Sequence, residues 1–324
     1  MLHRRKMLAA SAAGLATILG SRSSDASPLQ PNPLLAAPTS RRPFRIGVST
    51  YSFWHFKGNP VPIIDCIEQA ADMGFDGVEI LHVHMEKDAE AQGKKVNSAL
   101  LGEIKQKAFS LGLPLMGLST HQGFVSPDVE VRKRNIDHTA KCLQIAHELG
   151  IPTIRVNTGR WGTIKSFDDL MANKGREPIS EGRTLDEGFG WVIDSFQKLI
   201  QTAEKLGVVM GLENHWGLGR EASGVLRVLN SIKSPWLKAT LDTGNFLEDA
   251  PAQMKALAPQ AVLVQAKTYF GGGEWYTLDT EHANVATILR DAGYKGWISL
   301  EMEGKEDPKT AIPKSLDLLR KSYA

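Results

Sequence analysis

The stretch AEKLGVVMGLENHW, residues 203–216, decides how the chain is read. Ala203 to Leu206 close a segment of helical period, and Gly207 supplies the residue type that accepts the left-handed conformation ending a helix. Val208 to Leu212 then form a short apolar run, the pattern of a strand buried on both faces. Glu213 ends that run. A carboxylate at the end of a buried strand is costly unless something compensates it.

The same grammar recurs along the chain. The runs FRIGVST (44–50), GVEILHV (77–83), PLMGLST (114–120), PTIRVNT (152–158), VVMGLEN (208–214), LKATLDT (237–243), AVLVQAK (261–267) and WISLEME (297–303) read as strands. Between them apolar residues fall at helical spacing, as in Ile63, Ile67 and Ala70, or Val192, Phe196, Leu199 and Ala203. Glycines at 74, 150, 207 and 293 punctuate helix ends before the next strand. Eight such units over residues 44–324 predict a single-domain α/β fold, the (β/α)8 TIM barrel. A doubly wound open sheet is the rival, but the first strand–helix turn lacks its glycine-rich phosphate fingerprint.

Composition is that of a globular chain, 42% hydrophobic and 23% charged. Residues 1–26 read differently: Arg4, Arg5 and Lys6 precede a 14-residue Ala/Gly/Leu stretch and then small residues near Ala26. That is a signal-peptide layout of twin-arginine type, predicting an exported, periplasmic protein. Residues 27–43 are a Pro-rich linker. Processing would remove four basic residues and one acidic, turning a net charge of +2 into −1. Nucleic-acid binding needs a basic excess that is then missing. No remaining apolar run is long enough to insert stably in a bilayer. A homo-oligomer is compatible with the sequence. Cys66 and Cys142, the only two cysteines, fall on the helices after the first and third strands and are expected as buried, unbridged thiols.

In a barrel of this kind, chemistry sits at the C-terminal ends of the strands. The last four strands each end in one metal-competent side chain: Glu213, Asp242, Gln265 and Glu301. Three carboxylates converging on one point need a cation among them. An all-oxygen set with one amide suits Mn²⁺, or Mg²⁺, better than Zn²⁺. On this reading a divalent ion compensates Glu213.

GFDGVEI, LENHWG, LDTGNF and LEMEG together make the chain from about Phe44 to Lys321 resemble the xylose isomerase-like TIM-barrel superfamily. That family includes sugar epimerases, hydroxypyruvate isomerase, inosose dehydratase and a branch of AP endonucleases. The resemblance implies that the four strand-end residues bind one divalent ion, with Glu213 and Glu301 acting as acid and base on opposite faces of the substrate. The seventh strand departs from the family pattern, offering Gln265 where the family usually has His. An amide oxygen in place of imidazole shifts metal preference further from Zn²⁺.

Such a site acidifies the proton beside a carbonyl, which predicts an isomerase or epimerase of a non-phosphorylated keto-sugar. Two alternatives share the site: a lyase or dehydratase of a 3-keto-glycoside or keto-cyclitol, and a sugar-binding protein with impaired catalysis. His121, His215, Asn245 and Lys267 are candidate substrate contacts. Trp54 and Trp161 are the aromatic ones, with Trp216 and Trp275 also in loops. The loop 158–183 is long enough to close over the mouth. His82 and His84 read as two imidazoles on one solvated strand face, with a second metal site as the alternative.

Overall fold

Eight strands form where the apolar runs predict them: β1 Arg45–Ser49, β2 Gly77–Leu81, β3 Leu115–Ser119, β4 Thr153–Val156, β5 Val209–Glu213, β6 Leu237–Asp242, β7 Ala261–Thr268 and β8 Trp297–Met302. A computed structural model describes residues 44–273 and 276–324. The expected leader 1–26, the linker 27–43 and Trp275 lie outside the described residues. Each strand pairs in parallel with the next, and β8 pairs with β1, closing the barrel. Almost every strand residue is buried, because the barrel lumen covers one face and the helices cover the other.

The helices bury the stripes their sequences lay out. Ile63, Ile67 and Ala70 of the helix Ile63–Met73 are buried, as are Val192, Phe196, Leu199 and Ala203 of Leu185–Leu206. Gly74, Gly150 and Gly207 cap three helices in the left-handed region. Thr184 and Glu187 form a reciprocal capping box that starts the helix leading to β5. Cys66 and Cys142 are buried free thiols on the helices Ile63–Met73 and Val129–Leu149. No helix among the described residues is long and apolar enough to cross a membrane.

The segment after Leu81 corrects one expectation. His82 and His84 do not share a strand face; they begin the helix His82–Ala91. Two residues apart on a helix, they point in different directions. His84 packs on the Trp54 ring, 4.9 Å between centroids, and its Nε2 lies 2.7 Å from the Val61 carbonyl.

His282 ties β7 to the last helix, Pro308–Tyr323. Its Nε2 lies 3.2 Å from the Lys267 carbonyl and its Nδ1 3.2 Å from the Tyr323 hydroxyl. Burial holds the imidazole down at about 4, below the ordinary value near 6.5. Folding therefore favours the neutral form, so this contribution is complete above pH 6.5 and is lost as the pH falls towards 4. Denaturant titrations between those limits are expected to show a loss of about 3 kcal/mol from this group. His282→Asn should flatten that slope.

Candidate active site

Strand register decides which side chains meet. Asp242 stands opposite Gln265, Lys267 opposite Glu301, and Ser119 opposite Arg155. Glu213 ends β5, buried to 1% exposure. Its Oε1 accepts from Asn245 Nδ2 at 3.0 Å and its Oε2 from Asn157 Nδ2 at 2.7 Å. Arg155 Nη1 stands 3.3 Å from the same Oε2. The counter-charge on Glu213 is thus a guanidinium from the neighbouring strand, which composition and motif spacing did not single out. The signal was present: an arginine inside the apolar run PTIRVNT of a barrel strand.

Arg155 is itself buried, donating from Nε to Ser119 Oγ and from Nη1 to the Thr120 carbonyl and Asn157 Oδ1. Lys267 holds the other side of the site. Its Nζ donates to Asn245 Oδ1 at 3.2 Å and stands 3.1 Å from Glu303 Oε2, 3.6 Å from Asp242 Oδ2 and 3.9 Å from Glu301 Oε2. Burial opposes that charge, but Asp242, Glu303, Tyr276 and Glu301 together hold the ammonium well above its usual range. Asn245 therefore bridges the two halves, from Lys267 to Glu213.

Beneath them, Gln265 Nε2 donates to Glu79 Oε1, Ser119 Oγ and Glu301 Oε1 at 2.9, 3.2 and 3.0 Å. Ser299 donates to the other Glu79 oxygen. Asn214 clamps β5 to β6, donating to the Asp242 carbonyl and accepting from the Asp242 amide.

Five carboxylates, Glu79, Glu213, Asp242, Glu301 and Glu303, thus face two side-chain cations. The imbalance is visible in their acidity. Burial pushes Glu79 and Glu301 up, and it pushes Asp242 to about 7 against the pull of Lys267. Two buried oxygens of the predicted ion-binding set, Asp242 Oδ2 and Gln265 Oε1, accept no hydrogen bond. An excess of buried negative charge with orphaned oxygens fits a divalent cation with a preference for oxygen donors. Among the described residues, Glu213, Asp242 and Glu301 do not each bring an oxygen within 4.8 Å of the others, so the structure does not gather the expected ligands into one coordination-sized group.

A cavity of about 280 Å³ opens above this layer. Glu213, Glu301, Lys267, His215 and His121 line it, as do Arg155, Tyr51 and Glu303. Asp242, Gln265 and Asn245 lie behind that wall, fully buried. Burial, with Arg155 and Lys267 nearby, holds His215 well below its ordinary range, so it faces the cavity as a neutral imidazole. Tyr51 donates to Glu303 Oε1 at 3.1 Å, fixing the carboxylate that fixes Lys267.

Two expected aromatic contacts are not in the cavity wall. Trp54 packs on Phe56 and donates to the Gly58 carbonyl, while Trp161 packs edge-on against Trp191. Phe56, Phe167, Trp216 and Tyr276 line the cavity instead. The long loop does reach the mouth. Its short helix Phe167–Ala172 places Leu170 and Met171 against Trp216 in a cluster separate from the main core. Gly217, at φ +90°, joins this loop to the end of β5; an added Cβ would stand 2.1 Å from the Gly159 carbonyl oxygen.

Comparison with known proteins gives a consistent set. A family profile described as "Xylose isomerase-like TIM barrel" matches residues 67–322. An L-ribulose-5-phosphate 3-epimerase of Shigella flexneri serotype 5b is 24% identical over 280 residues, 81% of this chain and 90% of that protein. Among solved structures, a 3-keto-D-glucoside 4-epimerase of E. coli in its apo form superposes with TM-score 0.66 at 21% identity, covering 86% of this chain and 99% of that one. A D-psicose 3-epimerase of Clostridium cellulolyticum H10, solved with D-tagatose, gives 0.65 at 17% identity over 86% and 99% of the two chains.

Proposed function

This chain belongs to the xylose isomerase-like TIM-barrel family, and on that premise we propose that it is an isomerase or epimerase of a small keto-sugar. The observation that carries the reading is the placement of Glu213 and Glu301. Both line one cavity, from β5 and β8, three strands apart around an eight-stranded ring. A substrate seated between them meets a carboxylate on each side. One glutamate removes the proton from the carbon beside the carbonyl, and the other returns a proton from the opposite side. Return to the same carbon inverts it; return to the former carbonyl carbon moves the carbonyl.

Both lining the cavity, Lys267 and the neutral His215 are in this reading the donors to carbonyl and hydroxyl oxygens. Arg155, Asn157 and Asn245 fix the Glu213 carboxylate, so it meets the substrate in one orientation. Glu213, Asp242, Gln265 and Glu301 are the residues that would hold a divalent ion, Mn²⁺ or Mg²⁺, whose chemistry when bound is to polarise the carbonyl as a Lewis acid.

The charge pattern favours an unphosphorylated substrate. The cations lining the cavity, Arg155 and Lys267, are already matched to carboxylates, and a phosphate would face the surplus negative charge. The curated relative named for a sugar phosphate is 24% identical and does not decide this point. A second reading, elimination from a 3-keto-glycoside, draws support from the mouth. Phe167, Trp216 and Tyr276 offer apolar faces on which an aglycone can stack.

Incubation of the purified protein with free ketohexoses and with 3-keto-glycosides in deuterated buffer separates the readings. Deuterium in an intact epimer or isomer is the expected result, and release of aglycone or water supports elimination. Prior removal of divalent ions should lower the rate at least tenfold, with Mn²⁺ or Mg²⁺ restoring it better than Zn²⁺. Neither exchange nor release from any ketose or keto-glycoside, with Mn²⁺ present, would leave only a sugar-binding role. The leader read from residues 1–26 adds the proposal that the reaction takes place outside the cytoplasm, which activity in the periplasmic fraction would test.

A further inference from the structure

A second constellation lies outside the cavity, and the proposed reaction does not use it. His82 begins the helix that follows β2. His138 and Cys142 sit four residues apart on the helix Val129–Leu149 that follows β3, a spacing that puts both on one face. The two helices bring these side chains together. The His82 and His138 rings are 5.3 Å apart between centroids at 77°, and Cys142 Sγ is 3.6 Å from His138 Nε2. One donor atom from each of the three lies within 4.8 Å of the other two.

Ordinary packing leaves one part of this arrangement unexplained. His82 is 2% exposed, and its Nε2 has no hydrogen-bond partner. Buried ring nitrogens are nearly always satisfied. Its other nitrogen, Nδ1, stands 3.6 Å from Glu86 Oε2, one helical turn further on. A carboxylate on one imidazole nitrogen and an open lone pair on the other is how histidines are oriented towards metal ions.

We propose that His82 Nε2, His138 and Cys142 form a site for a thiophilic divalent cation of the zinc class, with Glu86 orienting His82. Two imidazoles and one thiolate make a borderline-soft set, unlike the all-oxygen set at the barrel axis. Both histidines are held below their ordinary range by burial, so they present lone pairs at neutral pH. Burial pushes the Cys142 thiol up to about 12, so ligation must release its proton. The cation forms the sulfur bond, the S–H proton leaves to solvent, and no electron is transferred. His82 and His138 line a cleft together with Phe56, Val83, Glu86 and His121, from which a water or ligand would reach the ion. Phe56 and His121 also line the main cavity, so the bound cation would pin the β2 end of its wall to the helix after β3.

Cobalt titration of the metal-stripped, reduced full-length protein tests this. A thiolate-to-cobalt charge-transfer band in the near ultraviolet, with the strong visible absorption of a four-coordinate ion, is expected. An ion on the barrel-axis oxygens cannot give that band, so the result is independent of the proposed reaction. The chain has two cysteines, so Cys66→Ser should keep the band and Cys142→Ser should abolish it. Glu86→Gln should weaken cobalt binding at least tenfold. Absence of the band in both the native chain and Cys66→Ser at saturating Co²⁺ would overturn the site, as would a band that survives in a folded Cys142→Ser variant.

Discussion

Glu301→Gln and Glu213→Gln are each expected to lower turnover of the keto-sugar by at least about 10³-fold, the scale of a lost acid–base group. Glutamine keeps the shape and one oxygen of each side chain, but at Glu213 its amide turns a donor towards Asn157, Arg155 or Asn245, so circular dichroism should first establish that the variant is folded. The informative contrast lies in isotope exchange. With two carboxylates on opposite sides, the variant that loses the returning acid still has the group that removes the proton. That variant should wash solvent deuterium into unconverted substrate while forming almost no product. The other should do neither. Equal exchange in both variants would mean that either group removes the proton from the same substrate, and the assignment of one remover and one returner would be lost. Measuring Mn²⁺ binding in parallel separates loss of a proton carrier from loss of an ion ligand.

Arg155→Met is expected to cost about 3–5 kcal/mol, because it leaves Glu213 buried against two amide donors with no opposing charge. For a barrel of this size that lowers Tm by about 5–8 °C. Adding Glu213→Gln to Arg155→Met should recover more than half of the loss, since the stranded carboxylate is gone. A melting temperature unchanged in Arg155→Met would mean that the guanidinium is not what balances Glu213. The double variant should fold but stay inactive, which separates support of the fold from chemistry.

The barrel could be read from the sequence because its rules are local. An apolar run of four to six residues, a helical stripe and a terminating glycine each act within about a turn of chain, and eight repetitions leave few alternatives. The candidate site was legible only where strand ends marked it. Glu213 and Asp242 end their strands and Glu301 is next to the end of β8, whereas Gln265 lies three residues before the end of β7 and is buried behind the cavity wall. Arg155 and Glu79 lie within runs, not at their ends, and only closure of the ring shows that they point into the lumen beneath the site. Trp54 and Trp161 were placed in the right loops, but loop identity does not say which way a ring turns. His82, His138 and Cys142 lie up to 60 positions apart on two helices, where no periodicity links them. The strand reading of GVEILHV ran two residues too far and hid the helix start.

The cap over the mouth packs on itself: Leu170, Met171 and Trp216 make no continuous core with the barrel below. The carboxylates, by contrast, hang from strand termini that Asn214 bolts together across two strands. Such a division of labour separates the packing of the cap from that of the reactive floor. A graft of residues 160–182 from a relative should therefore alter which molecules enter while leaving the floor's chemistry unchanged.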